Sequence, residues 1–259
     1  MNPLLKQAYA SPIMGAFVAL LAACMFFATQ SDRFLSGQNF SLILQQVMVI
    51  GVLAIGQTLI ILTAGIDLSC GMAMALGSIV MTKFATALGL NPAAAVMCGI
   101  AVCVLIGFIN GQLVTRIKLP AFIVTLGMLN IVFAITQLYS SGQTVTDVPA
   151  SMLFLGTTFA VGGTNVAYGA VLMLLLYGLT WLFLRDTAPG RHIYAVGNSP
   201  EAARLTGIPT NKVLLGVYSL AGVFYGIADI KYVARLGVGD PQAGQTDSLD
   251  SITAVDLGG

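Results

Sequence analysis

Seven stretches of this chain, near 13–29, 42–62, 71–88, 93–114, 121–139, 167–184 and 213–236, are apolar over about the length a helix needs to cross a bilayer. A spanning helix takes roughly 20 mostly apolar residues, each rising about 1.5 Å through the hydrocarbon core. Charged residues make up 8% of the 259 positions and hydrophobic ones 57%, where a soluble domain carries about 25% charged residues. The expected fold is therefore all-α, a polytopic transmembrane helical bundle. Residues 1–259 should form one transmembrane domain in membrane lipid, with no separate soluble domain and no nucleic acid partner.

Orientation follows from the basic residues, which favour the cytoplasmic side. Arg116 and Lys118 follow the fourth stretch, and Arg185, Arg191, Arg204 and Lys212 follow the sixth. The 140–166 loop has no Lys or Arg and a single acidic residue, Asp147. A cytoplasmic N-terminus with Lys6 inside brings every even-numbered stretch to an end inside, which accounts for all of these. Arg33 and Lys83 are exceptions, and Asp32 offsets Arg33. The segment Ser251–Gly259 begins another apolar run too short to cross. The expectation is a chain truncated at its C-terminus, or one whose last element does not cross.

Small residues suit close helix packing in lipid. Gly107–Gly111 and Gly222–Gly226 carry the GxxxG spacing that lets backbones approach, a pattern also common by chance. The four cysteines, Cys24, Cys70, Cys98 and Cys103, lie in or beside apolar runs, so neither a disulfide framework nor a metal site is expected. Leu21-Ala22-Ala23-Cys24 has the form of a lipoprotein processing box. The apolar run continues past it through Phe26, Phe27 and Ala28, so it reads as coincidence.

One polar island, 190–208, stands between the sixth and seventh stretches. Ser199 is a good N-cap, Pro200 fits the first helical position and Glu201 favours the positive end of the helix dipole. Ala202, Ala203, Arg204 and Leu205 are helix formers, Gly207 suits a left-handed stop and Pro209 prevents continuation. The expectation is a cytoplasmic helix of about two turns between Gly197 and Gly207, its small residues fitted for a groove on a partner. A phosphate-binding loop needs Gly directly before Lys. The five lysines are preceded by Leu5, Thr82, Ile117, Asn211 and Ile230. His192, the single histidine, reads as a solvated loop residue and rules out a two-histidine zinc motif.

The island resembles the cytoplasmic coupling loop (185–212) of permease subunits of bacterial ABC importers, of the ribose/xylose/fructose-type sugar permease family. Thr63-Ala64-Gly65-Ile66-Asp67-Leu68-Ser69, Ala75-Leu76-Gly77-Ser78, Asn110-Gly111-Gln112-Leu113-Val114 and Leu119-Pro120-Ala121-Phe122-Ile123-Val124-Thr125-Leu126-Gly127 resemble that family in its order. Branched-chain amino-acid permeases are related, but Tyr194-Ala195-Val196-Gly197-Asn198 leans towards sugars. The resemblance implies an inner-membrane permease that moves a monosaccharide unmodified by alternating access, with no catalytic residue of its own. It implies a second permease subunit, a periplasmic sugar-binding protein and an ABC ATPase. ATP and Mg²⁺ would sit on the ATPase, and this chain would carry no cofactor. It further implies that Gly190, Arg191, Tyr194, Gly197, Asn198, Pro200, Glu201, Ala202, Ala203 and Gly207 form the ATPase-coupling surface.

Asp67 lies where a break near 63–71 separates two apolar runs. It either caps a helix starting near Leu68, or marks a broken or re-entrant helix whose freed backbone lines a cavity; the two readings are compatible. Gln45, Gln46, Gln57, Asn110, Asn130 and Gln137 offer neutral amides within the apolar stretches. These suit sugar hydroxyls, and interhelical hydrogen bonds are the plainer use. Together with the resemblance they give Gln57, Asp67, Asn110, Thr125 and Asn130 as the expected substrate pathway. Asp229, Lys231 and Asp256 depart from the family, which is apolar there. Asp229 and Lys231 are two apart, on different sides of a helix, and cannot pair directly. Two rival functions remain: an ion-coupled secondary transporter, and a truncated subunit that binds partners without transporting.

Overall fold

The computed structural model describes residues 12–162 and 164–258; Lys6 lies outside them. All seven apolar stretches are helices. Five are long and apolar enough to cross a membrane: α2 (Gly37–Ile61), α4 (Pro92–Arg116), α5 (Ala121–Ser140), α6 (Tyr168–Asp186) and α9 (Thr210–Leu236). The first stretch forms α1 (Pro12–Gln30), which passes through Cys24 without interruption. Capping follows the local code. Ser36 accepts from Asn39 N–H at 3.3 Å ahead of α2, and Asn91 accepts from Ala93 N–H at 2.9 Å ahead of Pro92.

The third stretch differs from expectation. It forms α3 (Cys70–Thr86), 17 residues long, of which 14 are buried. At 1.5 Å per residue it rises only about 25 Å, less than the hydrocarbon thickness. A helix packed against α4, α5 and α9 does not need to match lipid, so α3 is the central post of the bundle. By contrast α6 buries four of its 19 residues and turns most of its surface outward.

The two GxxxG motifs are the two sides of one contact. A Cβ at Gly107 would fall on the carbonyl of Tyr218, and one at Gly222 on the carbonyl of Cys103. Gly226 also lies against the Ile100 backbone, a little less tightly. Helices α4 and α9 thus meet backbone to backbone, the geometry small residues permit in a solvent where apolar side chains gain nothing by leaving lipid.

The 140–166 loop is more ordered than its composition suggests. It contains a 3₁₀ turn (Ala150–Gly156) and a hairpin of β1 (Thr158–Val161) and β2 (Thr164–Ala167) paired antiparallel with Phe159 opposite Val166. Phe154 and Phe159 each place a ring 4.9 Å from that of Tyr168, an aromatic group of the kind that settles at a membrane interface. Lys83, an exception to the charge pattern, donates to the Tyr139 carbonyl at 2.6 Å in the last turn of α5. There it meets the negative end of the helix dipole.

After α9 the chain turns back into the bundle. Gly237, at φ +73°, ends the helix, and Gly239 exchanges two backbone hydrogen bonds with Val145. Residues 239–244 then pass beside α3 as a bridge and a series of turns, from Thr82 at one end to Gly71 at the other. Helix α10 (Asp247–Gly258) continues from there against α2 and α3. The terminal apolar run therefore belongs to a short helix that begins beside the start of α3.

Candidate functional site

Two regions stand out: the break between α2 and α3, and the polar island on the far side of it. Helix α2 ends at Ile61, and Ala64 adopts φ +58°, a left-handed conformation that costs a residue with a Cβ roughly 1–2 kcal/mol. Helix α3 then starts at Cys70, with Ser69 as its N-cap. Asp67 is thus two residues ahead of the cap position, and the helix begins two residues later than the expected Leu68. The carboxylate still organises the turn. Its Oδ1 accepts from Ser69 N–H at 2.8 Å and Ser69 Oγ–H at 2.6 Å, and its Oδ2 accepts from Tyr225 O–H of α9 at 3.2 Å.

Four of the five expected pathway residues meet at this break. Asn110 of α4 donates through Nδ2 to Ser69 Oγ at 2.9 Å, and Thr125 of α5 donates to the Ile66 carbonyl at 3.0 Å. Gln57 of α2 donates through Nε2 to the Asp67 carbonyl and to Cys70 Sγ. All four are buried. Five elements are tied through them to a segment whose own backbone groups are not in a helix, as burial at membrane depth requires. The Gln57 Oε1 and Asn110 Oδ1 oxygens find no partner among the described residues. Asn130 stands apart: it is exposed on α5 and donates to the Leu126 carbonyl of its own helix.

The island holds two helices where one was expected. Helix α7 (Ala188–Asn198) is capped by Thr187, whose Oγ1 accepts from Gly190 N–H at 3.1 Å. It is amphipathic, with Gly190, Ile193 and Val196 buried and Arg191, Tyr194 and Asn198 exposed. Helix α8 (Pro200–Leu205) follows, with the predicted Ser199 cap accepting from Ala202 N–H at 3.2 Å and Gly207 at φ +88° past its end. It is six residues long, shorter than two turns. His192, half-buried on α7, belongs to a helix and not to a loop.

Of the expected coupling residues, Arg191, Tyr194, Asn198, Pro200, Glu201, Ala202 and Gly207 are exposed. Gly190 is pressed against the carbonyls of Phe183 and Leu184, and Gly197 against that of Leu62. Ala203 is only 4% exposed and packs on this chain, while its small neighbour Ala202 is exposed. Leu205, expected only as a helix former and not on the coupling surface, is 79% exposed at the end of α8. Its signal is a large apolar residue at the end of the capped helix Pro200–Leu205, whose other residues are polar or small. Glu201 and Arg204 lie 3.6 Å apart in solvent and contribute little.

Asp229 and Lys231, marked as departures, are both fully buried on α9 and neither has a partner among the described residues. Asp229 faces Gly77 of α3. No group of three or more His, Cys, Asp or Glu among the described residues is placed to hold a metal ion.

Residues 39–259 match the family model described as branched-chain amino acid transport system / permease component. The chain is 44% identical over 247 residues to the fructose import permease protein FrcC of Rhizobium meliloti, covering 93% of this chain and 69% of that protein. It is 36% identical over 245 residues to the ribose import permease protein RbsC of Escherichia coli K12, covering 94% and 76% respectively. The autoinducer 2 import system permease protein LsrC of Yersinia pseudotuberculosis is 33% identical over 244 residues, 93% of this chain and 68% of that protein. No solved structure matches the chain. A bundle of membrane-crossing helices, a buried helix break joined to an ordered polar loop, and these matches agree: the chain belongs to the family of transport-system permease components.

Proposed function

We propose that this chain is the permease subunit of an ATP-driven importer that moves a monosaccharide of the ribose, fructose or xylose class across the bacterial inner membrane by alternating access. The observation that carries this reading is the 44% identity, over 93% of the chain, to a fructose import permease. In this reading the N-terminus and residues 185–212 face the cytoplasm. The exposed surface of α7 and α8 receives an ABC ATPase, which binds ATP and Mg²⁺. A periplasmic binding protein delivers the sugar, and a second permease subunit completes the pathway.

The direct contact of Gly197 with Leu62 supports a mechanical route. A push on α7 and α8 bears on the break that holds Gln57, Asp67, Asn110 and Thr125, and through their hydrogen bonds on α4, α5 and α9. The test is uptake of labelled ribose, fructose and xylose by proteoliposomes holding the permease, its ATPase and its binding protein. ATP-dependent uptake of one of these sugars is expected.

The second reading is an ion-coupled carrier. Its specific support is Asp229, a buried carboxyl group with no partner among the described residues. Asp67 is a poorer candidate because its oxygens already take three hydrogen bonds. Uptake that survives loss of ATP and collapses with an uncoupler would favour this reading over the importer.

A further inference from the structure

Asn130 is the tenth residue of the 20-residue crossing helix α5, so it stands about 15 Å from either end. It is nevertheless exposed. Beside it runs the non-helical, turn-rich segment after Gly237, where Gln242, Gln245 and Thr246 are also exposed. Non-helical backbone and bare amides at membrane depth are tolerated where they line a water-filled cavity, and not against lipid. This face of the bundle has the make-up that suits an aqueous path better than contact with lipid. By contrast the outward face of α6 carries Leu174, Leu175, Leu179 and Trp181, as a lipid surface should.

Set into this wall is a pocket of about 310 Å³ lined by Met72, Leu129, Asn130, Phe133, Gln245 and Ser248. Its volume is at the small end of the roughly 300–1,000 Å³ usual for small-molecule sites. The lining has two carboxamides and a hydroxyl, an aromatic ring, two aliphatic side chains and no ionisable group. Ser248 Oγ is held in place by the Gly71 N–H at 3.0 Å. Asn130 gives one amide hydrogen to Leu126 and keeps its other hydrogen and its oxygen. Gln245 has no side-chain hydrogen bond among the described residues. Neutral donors and acceptors beside a ring edge or face match alternating hydroxyl and C–H surfaces. They would leave a charged substrate without a counter-charge.

We propose that this pocket is a sugar-hydroxyl subsite of the translocation path, with Asn130 and Gln245 as its contacting residues and Phe133 as its apolar floor. The ligand class rests on the sugar-importer reading above; the aqueous wall does not. It also separates Asn130 functionally from Gln57, Asp67, Asn110 and Thr125, which are enclosed in the bundle and hold the break together.

The test has two arms. In a background with Cys24 and Cys98 replaced by Ser, Asn130→Cys and Gln245→Cys should react with a membrane-impermeant thiol reagent, whereas Leu174→Cys should not. Saturating ribose or fructose should slow the reaction at both positions. In proteoliposomes with the ATPase and binding protein, Asn130→Ala and Gln245→Ala should each reduce sugar uptake by roughly 3- to 10-fold at subsaturating sugar, the loss of one neutral hydrogen bond. In a transporter whose parent imports sugar, unlabelled cysteines would overturn both the wall and the pocket. Labelling that sugar does not slow, or full uptake by both Ala variants, would overturn the pocket alone. A parent that imports none of the three sugars would overturn the importer reading and with it the ligand class, while labelling at 130 and 245 would still establish the wall.

Discussion

Gly197 of the polar loop lies so close to Leu62 that a Cβ would overlap the Leu62 carbonyl. Leu62 is the first residue past α2, at the start of the break that Asp67 organises. The loop that would meet an ATPase and the break inside the bundle therefore touch through main chain, with no compressible side chain between them. Gly197→Val should push the two apart and cut sugar-stimulated ATP hydrolysis by at least about tenfold, since a misplacement of about 1 Å caused far from the chemistry can cost roughly 100-fold in rate. ATPase co-purification reads assembly separately. Unchanged stimulation in a Gly197→Val complex would show that the contact transmits nothing.

Docking itself is better tested at Leu205 than at Ala203. Ala203 is buried on this chain, so Ala203→Arg should destabilise the loop and would report folding as much as docking. Leu205→Glu alters a side chain that is 79% exposed and should leave membrane insertion unchanged. Removing an apolar anchor from the centre of an interface costs on the order of 2 kcal/mol, or about 30-fold in affinity. Titration of the purified ATPase against the permease in detergent measures this, and equal affinity would place the interface elsewhere.

The contact between α4 and α9 sets a third expectation. Gly107→Val and Gly222→Val should each lower thermal stability in detergent by roughly 1–3 kcal/mol through overpacking. A Cβ added at Gly178 of α6 or Gly216 of α9 meets nothing within 4 Å, so Ala at those positions should not lower the melting temperature. Equal shifts in all four variants would mean that the close approach does not stabilise the bundle.

These cases show how much could be read without coordinates. The spans were legible because lipid demands a long apolar run whatever the neighbours are, and the Ser199–Gly207 punctuation was legible because caps are local. Pairing was not. Each GxxxG motif is visible alone, but nothing along the chain says that Gly107 faces Tyr218 and Gly222 faces Cys103. Helix α7 is hard to read from the chain alone, although Thr187-Ala188-Pro189 carries a start signal and Gly190, Ile193 and Val196 share a face. The glycines at 190 and 197 read as loop, when each is a point of backbone contact. Ala203 was assigned outward because smallness suits a partner's groove as well as it suits the chain's own. The inward turn after Gly237 has no periodicity at all, and only its neighbours on α3 reveal its depth. Asn130 was singled out for its polarity, but its separation from the other four residues depends on which way α5 faces.

Asp229 and Lys231 provide the last prediction. Each is a buried polar group without a hydrogen-bond partner among the described residues, and such a group costs about 1–3 kcal/mol. Replacing it with an apolar residue of similar reach removes that cost, provided the site is not overfilled. Lys231→Met preserves the length of the side chain and should raise stability in detergent by about 1–3 kcal/mol. Asp229 is confined by Gly77, so Asp229→Ala is the substitution that cannot clash. Its gain should be smaller because some packing is lost. Thermal unfolding of both variants beside the parent makes the comparison, and uptake assays on the same preparations add the functional half. If stability rises and transport is kept, the two residues are unneeded for transport. A stabilised Asp229→Ala that no longer transports would identify the carboxyl as part of the transport cycle and move the balance towards ion coupling.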